Sequence, residues 1–107
     1  MPQDLKDLGR FAEPSLYVLV SLAGGEKHGY AIMQDVSRLS GRRLGPGTLY
    51  STLARLQARG LVEALEPEER RRPYRLTMSG TRAIAAQLES LDGFVTAGLL
   101  RLGRSQE

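Results

Sequence analysis

One stretch of this chain carries residue types whose spacing points to chemistry. Between Gly45 and Gly60, Leu49, Leu53 and Leu56 recur at i, i+4 and i+7, the period of a helix with one buried face. The opposite side of that helix is read as Gly47, Thr48, Ser51, Thr52, Arg55 and Arg59, all small, hydroxylic or cationic. Such a surface can approach a base-lined groove closely, because it has no bulky apolar group to hold it off. Serine and threonine hydroxyls donate to phosphates or base edges, and Arg55 can reach the two acceptors of a guanine. A second cationic group, Arg70, Arg71 and Arg72, lies downstream and suits phosphate neutralisation.

The composition agrees with a polyanionic partner. Arginine outnumbers lysine thirteen to two, and eight arginines against four glutamates fall between Arg42 and Arg75. Arginine's planar fork binds phosphate and guanine in a bidentate manner. The net charge is only +3, so the distribution carries more information than the sum.

Other chemistries find few residues. With one histidine and no cysteine, neither a histidine-based nor a thiolate metal site has its ligands. Gly45-Pro46-Gly47-Thr48 lacks the lysine of a phosphate loop and reads as a helix start. No nucleophile elbow and no carboxylate pair is evident, so neither an enzyme nor a cofactor is expected. No apolar run approaches the length of a membrane span, and the first residues lack the apolar core of a signal peptide. A cytoplasmic, cysteine-free protein of 107 residues in one compact unit is expected.

The remaining elements must position that helix. Residues 1–12 show no strong pattern and read as a frayed or partner-dependent lead-in. Glu13-Pro14-Ser15 opens a first helix whose residues Leu16 to Ala23 leave almost no polar face. Such a helix is buried on two sides, one against the core and one against a second subunit through Leu16 and Val20. Gly24-Gly25 ends it. Ile32, Val36 and Leu39, with Met33 beside them, form the apolar stripe of a second helix, and Gly41 is its stop. Gly45 and Pro46 open the third helix, and Gly60 closes it. Leu61–Leu65 and Pro73–Leu76 read as a hairpin around the charged loop 66–72. Tyr30 and Tyr50 read as packing residues near helix starts.

Thr77 caps a long last helix, along which Ile84, Leu88, Leu91, Val95, Gly98 and Leu102 step at heptad spacing. Phe94 and Leu99 thicken that stripe. Gly93, Gly98 and Gly103 interrupt it, and helix-interior glycine costs roughly 1 kcal/mol relative to alanine. Either they leave room beside Leu91, Phe94 and Val95 for an apolar small-molecule effector, or they let two helices pack closely.

The expected fold is therefore mostly α with a β-hairpin wing: a winged helix-turn-helix, residues 1–77, followed by a C-terminal dimerisation helix and tail, residues 78–107. The expected partners are double-stranded DNA with a pseudo-palindromic operator and a second copy of the chain. A winged helix serving as a protein-interaction module is the other reading, which exposed aromatics or leucines on the third helix would favour.

Several motifs carry a closer resemblance. Lys27-His28-Gly29-Tyr30, Gly47-Thr48-Leu49-Tyr50 with Leu53, Leu56 and Gly60-Leu61-Val62, then Tyr74-Arg75-Leu76-Thr77 and Gly80, resemble the PadR family over residues 13–80. The resemblance implies a winged-helix fold, dimerisation through the first and last helices, and repression of nearby genes. The single C-terminal helix is similar to the short subfamily, which includes multidrug-responsive repressors with a ligand pore at the dimer centre. Three departures stand out. Ser51 follows the Leu-Tyr pair where many members have proline, and Pro73-Tyr74-Arg75 replaces an aromatic pair. The last helix has Leu91 where drug-binding members carry tryptophan.

Overall fold

The computed structural model describes residues 13–104. The lead-in expected over residues 1–12 lies outside that range. Four helices and three short strands follow one another: α1 (Glu13–Ala23), β1 (Lys27–His28), α2 (Gly29–Ser40), α3 (Pro46–Ala58), β2 (Val62–Ala64), β3 (Pro73–Leu76) and α4 (Met78–Arg101).

The core forms where the apolar faces of α1, α2 and α3 converge, around Val18, Leu22, Ile32, Val36, Leu49, Leu53 and Leu56. Burying each of these leucines stabilises the fold by about 2 kcal/mol before entropic costs. Leu39, read as part of the α2 stripe, is instead 48% exposed. It stands in the last turn of α2, so the buried stripe ends one turn early, at Val36. Gly41 terminates α2 as expected, its φ of 73° supplying a left-handed cap whose N–H donates to the Ser37 carbonyl.

The sheet contains one strand more than the expected hairpin. Its order is β1-β3-β2, both pairs antiparallel, with Val62 opposite Leu76 and Lys27 opposite Tyr74. β1 is only two residues long, too short to show an alternating pattern. Lys27 is held there by its ammonium group, which donates to the carbonyls of Ser21 and Gly25 at the end of α1. That contact closes the turn after α1 and aligns β1 beside β3.

Thr77 caps α4 as its sequence position implies, its Oγ1 accepting from the Gly80 N–H at 3.0 Å. Gly80 is required for another reason: a side chain there would collide with the Leu61 carbonyl oxygen, itself fixed by the Thr77 N–H at 3.1 Å. α4 is thereby pinned against the end of β2 through its first two turns, where Gly80 and Ile84 are buried. Its 24 residues then run on for about 36 Å in all. The body measures 53 × 28 × 24 Å, its long dimension accommodating this projecting helix. Gly93 and Gly98 do not break it, and Gly103 lies past its end with a φ of 79°. The expected third interruption is thus a terminator.

Candidate nucleic-acid interface

α3 begins at Gly45, an N-cap without a side chain, followed by Pro46 in the first turn. Leu49, Leu53 and Leu56 face inward as expected and are at most 3% exposed. At 3.6 residues per turn this leaves Gly47, Ser51, Ala54 and Ala58 along the middle of the outer face, with Thr48 and Arg55 on one edge. All are exposed.

Two assignments change. Thr52 is 0% exposed, because it lies within one residue of the Leu49–Leu53–Leu56 stripe and is drawn in with it. Its hydroxyl has no hydrogen-bond partner among the described residues. Arg59 is exposed but forms the C-cap of α3, and it lines the groove between α1 and α4 rather than the small-residue face. Ala54 and Ala58 were missed because alanine carries no chemical signal of its own; only their exposure marks them.

The wing follows directly. β2 and β3 are joined by a tight turn in which Glu69 and Arg70 both have positive φ, 47° and 72°. Glu68 and Arg71 exchange both backbone hydrogen bonds across it, at 2.6 and 2.8 Å. This is the geometry of a type I′ turn. Arg70 and Arg71 are exposed at the tip, whereas Arg72 donates to the Leu65 carbonyl at 3.0 Å and so is partly committed to holding the loop. Arg75 is likewise committed, to Glu63 directly across the ladder at 2.7 Å, which strengthens the hold on its proton. His28 Nε2 in β1 lies 3.3 Å from the Glu68 carboxylate at the wing without a hydrogen bond between them.

The wing and α3 meet at Tyr74. Burial pushes its hydroxyl above the ordinary tyrosine range, the Tyr50 hydroxyl adds to this, and Arg72 opposes it. Tyr50 is half-exposed, and the end of its ring lies over the buried Gly29 at the start of α2. Its packing role is as expected. Tyr30 departs from expectation: it is 68% exposed and borders the groove between α2 and the start of α3.

Away from this face, α4 presents the rest of the expected stripe. Leu88, Leu91, Phe94, Val95 and Leu102 are all exposed on the single chain, Phe94 at 77%. Ile84 is the exception among the expected interface residues, because it is buried in the chain's own core. Leu16 and Val20 on α1 are half-buried. A groove of about 520 Å³ runs between α1 and α4, lined by Leu16, Leu19, Leu56, Ile84, Gln87 and Leu91, among others. Among the described residues no cluster of metal-ligating side chains occurs, and no helix is long and apolar enough to cross a membrane.

Two helices joined by a tight turn, the second with a small and cationic outer face, and a β-hairpin beside it define a winged helix-turn-helix regulator. Comparison with known proteins narrows the class. The model of the PadR-like family of transcriptional regulators matches residues 18–86, and the chain belongs to that family. It is 39% identical over 80 residues to a transcriptional regulator of Mycobacterium tuberculosis, covering 72% of this chain and 74% of the relative. It is 44% identical over 82 residues to a 37.1 kDa protein in a transposon of Streptomyces fradiae, and there it spans only 24% of the relative's length. The structure of RosR from Halobacterium salinarum superimposes with a TM-score of 0.69 at 32% identity, covering 77% of this chain and 76% of the other. The family is one of regulators, not enzymes.

Proposed function

We propose that this chain is a homodimeric, sequence-specific DNA-binding regulator that represses a nearby gene. The observation that carries this reading is the outer face of α3, where Gly47, Ser51 and Ala54 allow close approach while Thr48 and Arg55 can address bases and phosphates. Arg70 and Arg71 at the wing tip supply the flanking cations. The alternative, a protein-interaction surface, is less well supported: Tyr50 lies at the edge of this face and is engaged with Gly29.

Dimerisation is supported by the apolar face of α4, which the chain does not cover itself, and by the adjoining half-buried α1. A two-fold axis through these helices would set two α3 helices about 34 Å apart, one turn of duplex. Selection from a random duplex pool, followed by footprinting, is expected to yield a pseudo-palindrome. A specific site without inverted symmetry would contradict the dimeric reading. Repression is tested by placing that site upstream of a reporter, with activation as the contrary result.

An apolar effector is the remaining part of the proposal. The α1–α4 groove, with Leu91 in its wall and Phe94 and Val95 further along α4, is large enough for a small molecule. Such a ligand can act only by binding two spacings of the DNA-reading heads with different affinity. A compound that raises the melting temperature of the free protein and competes with the selected duplex would qualify. Compounds that stabilise the protein without changing duplex affinity would remove the sensor role.

A further inference from the structure

A second groove lies between α2 and the start of α3. It has a volume of about 480 Å³ and is lined by Tyr30, Gln34 and Arg43 together with Met33, Leu44 and Pro46. No acidic residue lines it. The nearest acid on α2, Asp35, is engaged by Lys27 at 4.0 Å and Arg38 at 3.8 Å. Arg43 is exposed and makes no ion pair with another described residue.

The Tyr30 hydroxyl is only loosely contacted within the chain. Gln34 Nε2 donates to the Tyr30 hydroxyl oxygen at 3.5 Å, a long contact across one helical turn. The contact is too long to hold the hydroxyl, whose proton stays available to an acceptor in the groove. Ser37 in the same groove has spent its proton on the Met33 carbonyl at 2.9 Å, so it adds no outward donor. The groove thus holds one exposed hydroxyl and one guanidinium without an ion pair among the described residues, and its rim is the first turn of α3, whose N-cap Gly45 has no side chain. A tyrosine 68% exposed contributes little to the core, so the fold does not account for its position.

We infer that Tyr30 and Arg43 form a binding site for a phosphodiester of the DNA backbone. This rests on the reading of α3 as the groove-reading helix. With α3 in the major groove, the helix before it crosses the flanking strand, which brings the α2–α3 groove against sugar and phosphate. Contacts of this kind set register and affinity without reading sequence.

The test uses the full chain and the duplex it selects from a random pool. Y30F is expected to leave the melting temperature unchanged and to weaken selected and random duplexes alike, by about tenfold. A duplex with a neutral methylphosphonate at the contacted phosphate should bind wild type more weakly and show little further loss with Y30F. R43Q should lower the salt slope by about one. Wild-type affinity and salt slope in both variants would overturn the site while leaving the α3 reading intact. Failure of the wild-type protein to select any duplex would overturn both. If millimolar inorganic phosphate stabilises the wild type but not R43Q, and duplex affinity is unchanged in the variant, the groove holds a free anion and the backbone role is overturned.

Discussion

At the scale of single residues, exposure separates side chains that their types alone do not. Thr52 and Arg55 stand three apart on α3, and both suit a polar outer face by composition. Thr52 is buried with its hydroxyl unpartnered, whereas Arg55 is exposed. A buried unsatisfied hydroxyl costs on the order of 1–3 kcal/mol. Thr52→Val, nearly isosteric, should therefore raise stability by about 1 kcal/mol in urea unfolding and leave duplex affinity unchanged. Lower duplex affinity at wild-type stability would return Thr52 to the interface. For Arg55, replacement by alanine should reduce the preference for the selected site over random DNA by ~1–3 kcal/mol. Arg71→Ala at the wing tip should instead weaken all duplexes similarly, with a salt slope smaller by about one. Equal losses on both duplexes with Arg55→Ala would reassign that residue to the backbone.

At the scale of elements, most boundaries were legible because each has a chemical cause. The starts of α3 and α4 follow from Gly45-Pro46 and Thr77, and the end of α2 follows from Gly41. What was not legible has a cause as well. β1 is formed by pairing with a strand nearly fifty residues away in sequence, and no local pattern records such a partner. Leu39 matched a helical period but is left uncovered by the rest of the fold, which periodicity within one helix does not record. The wing turn was expected only as a charged loop, because Glu69-Arg70 is not the Asn-Gly pair that favours a type I′ turn. Both residues accept a left-handed backbone that costs a side-chain-bearing residue roughly 1 kcal/mol or more. Glu69→Asn, which tolerates that region better, should raise stability by a few tenths to about 1 kcal/mol in thermal unfolding, with the arginines retained. A destabilised variant would mean that the Glu69 side chain contributes something its exposure does not reveal.

At the scale of the whole molecule, the proposed dimer would use the apolar face of α4 and, through it, set the spacing of two α3 helices. The first two turns of α4 are consumed within the chain, where Gly80 meets Leu61 and Ile84 enters the core. Beyond them the heptad residues are exposed, so the proposed interface would begin near Leu88 and not at Ile84. Leu91 is the informative position. It is 36% exposed on the single chain and lines the α1–α4 groove, so it borders both helices expected at the two-fold axis. A carboxylate there would be solvated in a monomer but buried without a partner in the dimer, at a cost of several kcal/mol. Leu91→Glu is therefore expected to sediment as a folded monomer, with a helical circular dichroism spectrum. Binding the selected palindrome as separate monomers forfeits the gain from linking two half-sites, so affinity for the full site should fall by about 10²-fold or more, toward that for a single half-site. A mutant that remains dimeric and binds normally would move the interface onto α1 alone, through Leu16 and Val20. A monomer with undiminished affinity for the palindrome would leave the dimer intact as a structure and remove it from DNA recognition.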